Sequence, residues 1–207
     1  MVQRVSVYID GFNLYYGLKE ASLQRFYWLD MRRLSENLLL PTQRLVAVRY
    51  FTARVHHDPK NPDKAKRQDT FLDALATLPD VHIHYGYYLP KQITCSSCGM
   101  TRQTYEEKMT DVNIAIELLG DAQDNAFDLA IIVSGDSDLS GPVEAIRKRY
   151  SMKQVVVAFP PKRVSKQLRQ LANKSLVIGR KKLKISQLPH KVTTPDGYVL
   201  TRPPSWK

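Results

Sequence analysis

Two cysteines in 207 residues are too few for a disulfide framework, so this chain must be held together by packing, as in a reducing compartment. No run of about 18 apolar residues occurs, which excludes the usual pattern of a membrane-spanning helix. The first ten residues, Met1 to Asp10, go straight into a strand pattern without signal-peptide features, so a soluble, cytoplasmic protein with no membrane partner is expected. Acids are scarce at one end. Residues 160–207 hold 12 Lys or Arg and one acid, Asp196, which leaves 19 of each sign elsewhere from totals of 31 and 20. The whole formal excess of +11 is therefore C-terminal, as expected of a segment that follows a polyanion such as a phosphate backbone. A solubilising tail is the plainer alternative.

At 43%, apolar residues suffice for a real core, and their pattern alternates between strands and helices. Strands are expected at Val5 to Ile9, Leu45 to Arg54, Val81 to Leu89, Leu129 to Val133 and Gln154 to Phe159. Between and after them, helices are expected after Asn13, at Asp30 to Leu39, Lys64 to Leu78, Thr110 to Leu119, Pro142 to Tyr150 and Ser165 to Ala172. In the fourth of these helices Val112, Ala115, Ile116 and Leu119 share one face. Such alternation implies right-handed crossovers and a mostly parallel, doubly wound sheet covered on both faces, a three-layer α/β/α sandwich. Residues 90–105 break the pattern and read as an excursion over the sheet edge. Residues 55–64 read as a loop with His56 and His57 at the surface, and the chain beyond about residue 186 reads as a flexible basic tail. The expected division is a domain over 1–180 and a tail over 181–207.

The stretch Ile131-Ile132-Val133-Ser134-Gly135-Asp136-Ser137-Asp138 puts two carboxylates on a strand-to-helix turn. Val5 to Ile9 ends in the same way, at Asp10-Gly11-Phe12-Asn13. In open α/β sheets such turns lie at the carboxyl edge, where ligands bind, and the first and fourth strands flank the switch point. Asp10 and Asp136 should then face each other across one crevice. Asp111 enters a helix, with Glu107 four residues before it. Carboxylates brought that close repel unless a cation joins them, and their hard oxygens suit Mg²⁺ or Mn²⁺. Each acid alone is equally readable as a turn or helix cap.

Three segments, Val7-Tyr8-Ile9-Asp10-Gly11-Phe12-Asn13-Leu14, Glu107-Lys108-Met109-Thr110-Asp111-Val112 and Val133-Ser134-Gly135-Asp136-Ser137-Asp138-Leu139, resemble in order the motifs of the NYN domain of the LabA-like kind, within the PIN-like nuclease superfamily. The resemblance spans residues 5 to about 160. It implies a PIN-like sandwich and Mg²⁺- or Mn²⁺-dependent hydrolysis of RNA phosphodiesters. Asp10, Asp111, Asp136 and Asp138 would be the acidic, metal-holding set, with Asn13 and Ser134 as polar helpers. Glu107 would add a ligand or sit on the rim, and Lys108 would pair with phosphate or balance the acids.

The 90–105 excursion and the tail depart from the family pattern. Cys95-x-x-Cys98 offers half of a tetrahedral Zn²⁺ site that His82 or His84 could complete, or else a reduced thiol pair. Tyr85, Tyr87 and Tyr88 alternate, with Tyr105 nearby. They read as half-buried strand aromatics or as stacking platforms for single-stranded bases. A rival class, the haloacid-dehalogenase-type phosphatase, needs an acid two residues after its first Asp, and here that position is Phe12. A non-catalytic RNA-binding or partner-recruiting module is the other alternative.

Overall fold

The structure is a computed structural model describing residues 2–55 and 61–206; His56 and His57 lie outside the described residues. Its framework is one parallel sheet. In chain order the strands are β1 (Gln3–Asp10), β2 (Gln43–Thr52), β3 (Val81–Tyr85), β6 (Leu129–Val133), β7 (Gln154–Phe159) and β8 (Lys174–Val177). In space the order is β3-β2-β1-β6-β7-β8, with every adjacent pair parallel. The chain winds outward in one direction from β1 and in the other from β6, so the switch point falls between those two strands.

Strand alternation builds two cores. Val5, Val7 and Ile9 point to one face with Ile131 and Val133. There they meet α1 (Gly11–Glu20), α2 (Met31–Glu36), α3 (Asp63–Ala76) and α7 (Arg180–Ile185) through residues such as Leu14, Leu34, Leu72 and Leu183. Tyr8, Ala130, Ile132 and Val157 point to the other face, against α4 (Thr110–Gln123), α5 (Ser140–Arg149) and α6 (Lys166–Leu171). Each fully buried Val, Ile or Leu contributes about 1.5–3 kcal/mol over its exposed state. This is the expected three-layer sandwich.

Three expectations need correction. The face of α4 expected to gather its apolar residues is only partly its core face: Val112 and Ile116 are exposed and Leu119 is half-buried, while Ile114, Leu118 and Ala122 pack inward. The helix carries apolar residues on both sides, and the buried partners of Asp121 decide which side faces in. The expected third strand is broken at Gly86. From there β4 (Tyr87–Thr94) and β5 (Thr101–Lys108) form an antiparallel hairpin off the sheet, which accounts for the 90–105 excursion. Finally, the segment beyond residue 186 is not a flexible tail. Strands β9 (Lys191–Thr193) and β10 (Val199–Thr201) pair, Val192 and Leu200 join the first core, and the Trp206 ring lies against Trp28 and Phe71. The Trp28 indole N–H donates to the Pro189 carbonyl (2.7 Å), anchoring the segment. Pro and Thr are its commonest residues, but Leu188, Val192 and Leu200 fall at inward positions.

Candidate active site

Asp10 ends β1 and caps α1. Its Oδ1 accepts the Asn13 backbone N–H (2.9 Å), satisfying a first-turn donor that the helix itself cannot. Its Oδ2 accepts the Ser134 hydroxyl (2.9 Å), and the Ser134 Oγ in turn accepts the Asp136 N–H (3.0 Å). Asn13 Oδ1 accepts the Gly135 N–H (2.8 Å), so the turns after β1 and β6 are tied together twice. Two glycines make this possible. A Cβ on Gly11 would stand 2.7 Å from the Phe51 carbonyl and the Tyr50 hydroxyl, and one on Gly135 would stand 2.6 Å from the Arg163 carbonyl. Only bare backbone lets the two turns sit this deep.

Asp111 arrives from the other direction, in the first turn of α4 at the end of the hairpin. Met109 adopts a left-handed backbone (φ 79°) to make the corner. Glu107 Oε1 accepts the Thr110 N–H (3.0 Å) and also the Thr110 hydroxyl, so Glu107 holds the helix start. The result is one cluster: Asp10, Asp111 and Asp136 each offer an oxygen, and these oxygens lie within 4.8 Å of one another. Asp10 is only 4% exposed.

The electrostatics follow from this placement. Burial pushes the Asp10 carboxyl up to about 7, against the opposing hydrogen bonds from Asn13 and Ser134, and the charges of Asp111 and Asp136 push it further. Burial also raises Asp111 to about 6, helped by Asp136, Glu107 and Asp138. A pocket that penalises its own carboxylates is one that a cation would relieve, and three close hard oxygens could bind a divalent metal ion.

The other expected site residues divide. Asp138 is exposed; its N–H caps onto Asp136 (3.0 Å) and its charge reaches Asp111 from the rim. Lys108 does not balance the cluster but pairs with Glu106 (2.9 Å), which Lys91 also engages (3.1 Å). Cys95 and Cys98 lie exposed at the hairpin turn. Among the described residues the acidic trio is the one group of three or more potential metal ligands, so neither His82 nor His84 completes a site with the thiols. His84 instead stacks on Phe51, its Nδ1 3.5 Å from Glu117. Of the hairpin tyrosines, Tyr87 and Tyr105 are exposed, whereas Tyr88 meets Phe12 edge-on.

A feature with no local signature in the sequence adjoins the cluster. Beyond Gly11 and Phe12 opens a cavity of about 480 Å³ between α1, α3 and the C-terminal segment, with Tyr15, Tyr27, Tyr50 and Trp206 among its walls. Its residues are scattered along the sequence from Gly11 to Trp206, and only the ordered C-terminal segment brings Trp206 to it.

Comparison with known proteins agrees with this geometry. A family model described as the NYN domain matches residues 4–179. The chain belongs to the NYN domain family. That family is nuclease-like, and its members generally act on nucleic acids. Among curated proteins the chain is similar to a Pseudomonas putida protein named 6-hydroxy-3-succinoylpyridine 3-monooxygenase HspA, 28% identical over 185 residues. The match covers 74% of this chain and 59% of that protein. A crystal structure of a protein of unknown function from Vibrio parahaemolyticus shares the fold, with a TM-score of 0.55 at 23% identity. It covers 86% of this chain and 94% of that one. No helix among the described residues is long and apolar enough to cross a membrane.

Proposed function

We propose that this NYN domain is a divalent-metal-dependent ribonuclease that hydrolyses RNA phosphodiesters at the β1/β6 switch point. One observation carries the reading: three carboxylates from separate parts of the chain converge within 4.8 Å, and among the described residues none of them forms an ion pair. Asp10, Asp111 and Asp136 would hold Mg²⁺ or Mn²⁺, and the ion would supply water activation and charge neutralisation at the phosphate.

The remaining steps fall to the protein. Ser134 and the Asn13 N–H fix both oxygens of Asp10, so one rotamer is presented. Asn13 holds the Gly135 backbone and thereby the aim of Asp136. Asp138 on the rim accepts a proton from water or faces an incoming cation. Basic residues of the C-terminal segment, including Lys181 and Lys184 on α7, draw the polyanion in. The test is cleavage of a single-stranded RNA with Mn²⁺ or Mg²⁺. Cleavage by the wild type and none by Asp136→Asn or in EDTA is expected; equal activity in all three would end the ribonuclease reading, and RNA binding without cleavage would select a non-catalytic RNA-binding module.

A second reading comes from the Pseudomonas putida relative, whose name describes oxygenation of a planar pyridine. The aromatic cavity beside the cluster favours it. Product formation from 6-hydroxy-3-succinoylpyridine with dioxygen and a two-electron reductant, without RNA cleavage, would select it.

A further inference from the structure

The cavity beside the acidic cluster has a composition unlike the cluster itself. Its walls are packed rings: Tyr15 and Tyr27 lie tilted with centroids 4.8 Å apart, and Tyr27 meets Trp206 edge-on at 5.6 Å. Its rim carries Lys19, Lys64 and Arg67, and among the described residues lining it there is no carboxylate. Lys19 and Lys64 make no ion pair among the described residues, so their charges are available to a ligand. The volume of about 480 Å³ lies in the range of small-molecule sites, about 300–1,000 Å³. A ligand with a flat ring and an anionic group answers both halves of the lining.

The cavity is also joined to the cluster. Asp10 is the cap of α1, and the next residues, Gly11 and Phe12, are cavity wall. Tyr50 lines the cavity with its hydroxyl packed at Gly11, one residue from Asp10. The cavity wall thus begins at the residue next to Asp10.

We propose that this cavity is a nucleotide pocket: one base stacks among Tyr15, Tyr27 and Trp206, while Lys19, Lys64 and Arg67 take the attached phosphate. Its use within RNA rests on the ribonuclease reading and deepens it, because an enzyme with one base seated beside its acids cuts at a fixed offset from that base. Stacking tolerates any base, and each ring contact is commonly worth about tenfold or more in affinity. Offset is thus fixed more strongly than base identity.

The chain has two tryptophans, and Trp28 is fully buried whereas Trp206 borders the cavity, so tryptophan emission reports on the site. The experiment titrates UMP and AMP, the matching nucleosides and a free pyridine carboxylate into the full wild-type chain in EDTA, by calorimetry and fluorescence. Expected is nucleotide binding that quenches emission and exceeds nucleoside binding. Tyr15→Ala should weaken it about tenfold, and Lys64→Gln with Arg67→Gln should erase the advantage of the phosphate. Trp206→Phe should keep binding while losing most of the quenching. Tyr15 and Lys64 are exposed, so these variants leave the core intact. No nucleotide binding at millimolar concentration, binding unmoved by Tyr15→Ala, or binding of the pyridine acid alone would each overturn the proposal. Because metal and cleavage are absent from the assay, a positive result stands even if the protein cuts no RNA, and a negative one leaves the acidic cluster untouched.

Discussion

Two carboxylates lie buried among the described residues, Asp10 at the end of β1 and Asp121 on α4, and they are treated in opposite ways. Asp121, 8% exposed, accepts the Tyr8 hydroxyl (2.6 Å) and two guanidinium nitrogens of Arg49 (2.7 and 2.5 Å). Arg49 also reaches Glu117 (3.1 Å). Asp10, 4% exposed, receives only neutral donors, and the charges nearest to it are Asp111 and Asp136. Burying a lone charge is costly, and the fold meets that cost at Asp121 with a cation of its own. At Asp10 no cation among the described residues does so. The difference marks Asp121 as a fixture of the fold and the Asp10 cluster as a group of carboxylates that could bind a divalent cation.

Exchanging each acid for its amide is the sharpest way to break this comparison. Asp10→Asn or Asp136→Asn should lower RNA cleavage about a thousandfold or more, in line with losing a preorganised electrostatic group, with thermal stability of the metal-free protein kept or raised. Asp121→Asn leaves Arg49 with Glu117 as its remaining acid and should cost about 1–3 kcal/mol of folding stability, measured by urea unfolding. If both substitutions destabilised equally, the contrast would be wrong.

The pH response sharpens the same point. An unfolded Asp titrates near its ordinary value of 3.8, whereas folded Asp10 titrates at about 7 and Asp111 at about 6. Between those values the folded protein binds more protons, so stability of the metal-free protein falls as pH rises from about 4 to 7 and levels off above. Saturating Mn²⁺ should reverse the trend, since it binds the deprotonated carboxylates, and Asp10→Asn should flatten the metal-free slope. Melting temperatures across this range, with and without Mn²⁺, decide it.

Much of this contrast is readable in the sequence itself. Asp10 and Asp136 each follow an apolar strand, and doubly wound connectivity alone brings those strand ends together. Asp111 is placed by its position at a helix start and by family resemblance. What stays hidden depends on long-range choices. Strand β8 is short and opens with Lys174 and Ser175, so its sequence gives little strand signal. The buried face of α4 is selected by Tyr8 and Arg49, more than 70 residues away in sequence. Leu188, Val192 and Leu200 sit amid Pro, Thr and Lys, and composition there outweighs the spacing that buries them. The cavity needs Trp206 on that segment, so a segment that reads as a tail conceals it.

Smaller effects refine the contrast. Ser134→Ala frees Asp10 Oδ2 and should lower cleavage or Mn²⁺ affinity about 10–100-fold, a loss typical of removing the partner that orients a ligand. Deleting residues 186–207 is a poor test of RNA attraction, because it would strip Leu188, Val192 and Leu200 from the core. Lys181→Gln with Lys184→Gln is the gentler probe. It should reduce the slope of log affinity against log salt for single-stranded RNA by about 0.7 for each phosphate that is no longer neutralised. An unchanged slope would mean that α7 does not touch the backbone.

The most direct test is anomalous diffraction from crystals of the wild-type chain soaked in Mn²⁺. A three-carboxylate metal site predicts a manganese peak bonded to oxygens of Asp10, Asp111 and Asp136, and none there in Asp136→Asn. A wild-type crystal with no manganese at those three side chains, from protein that still cleaves RNA in Mn²⁺, would contradict it.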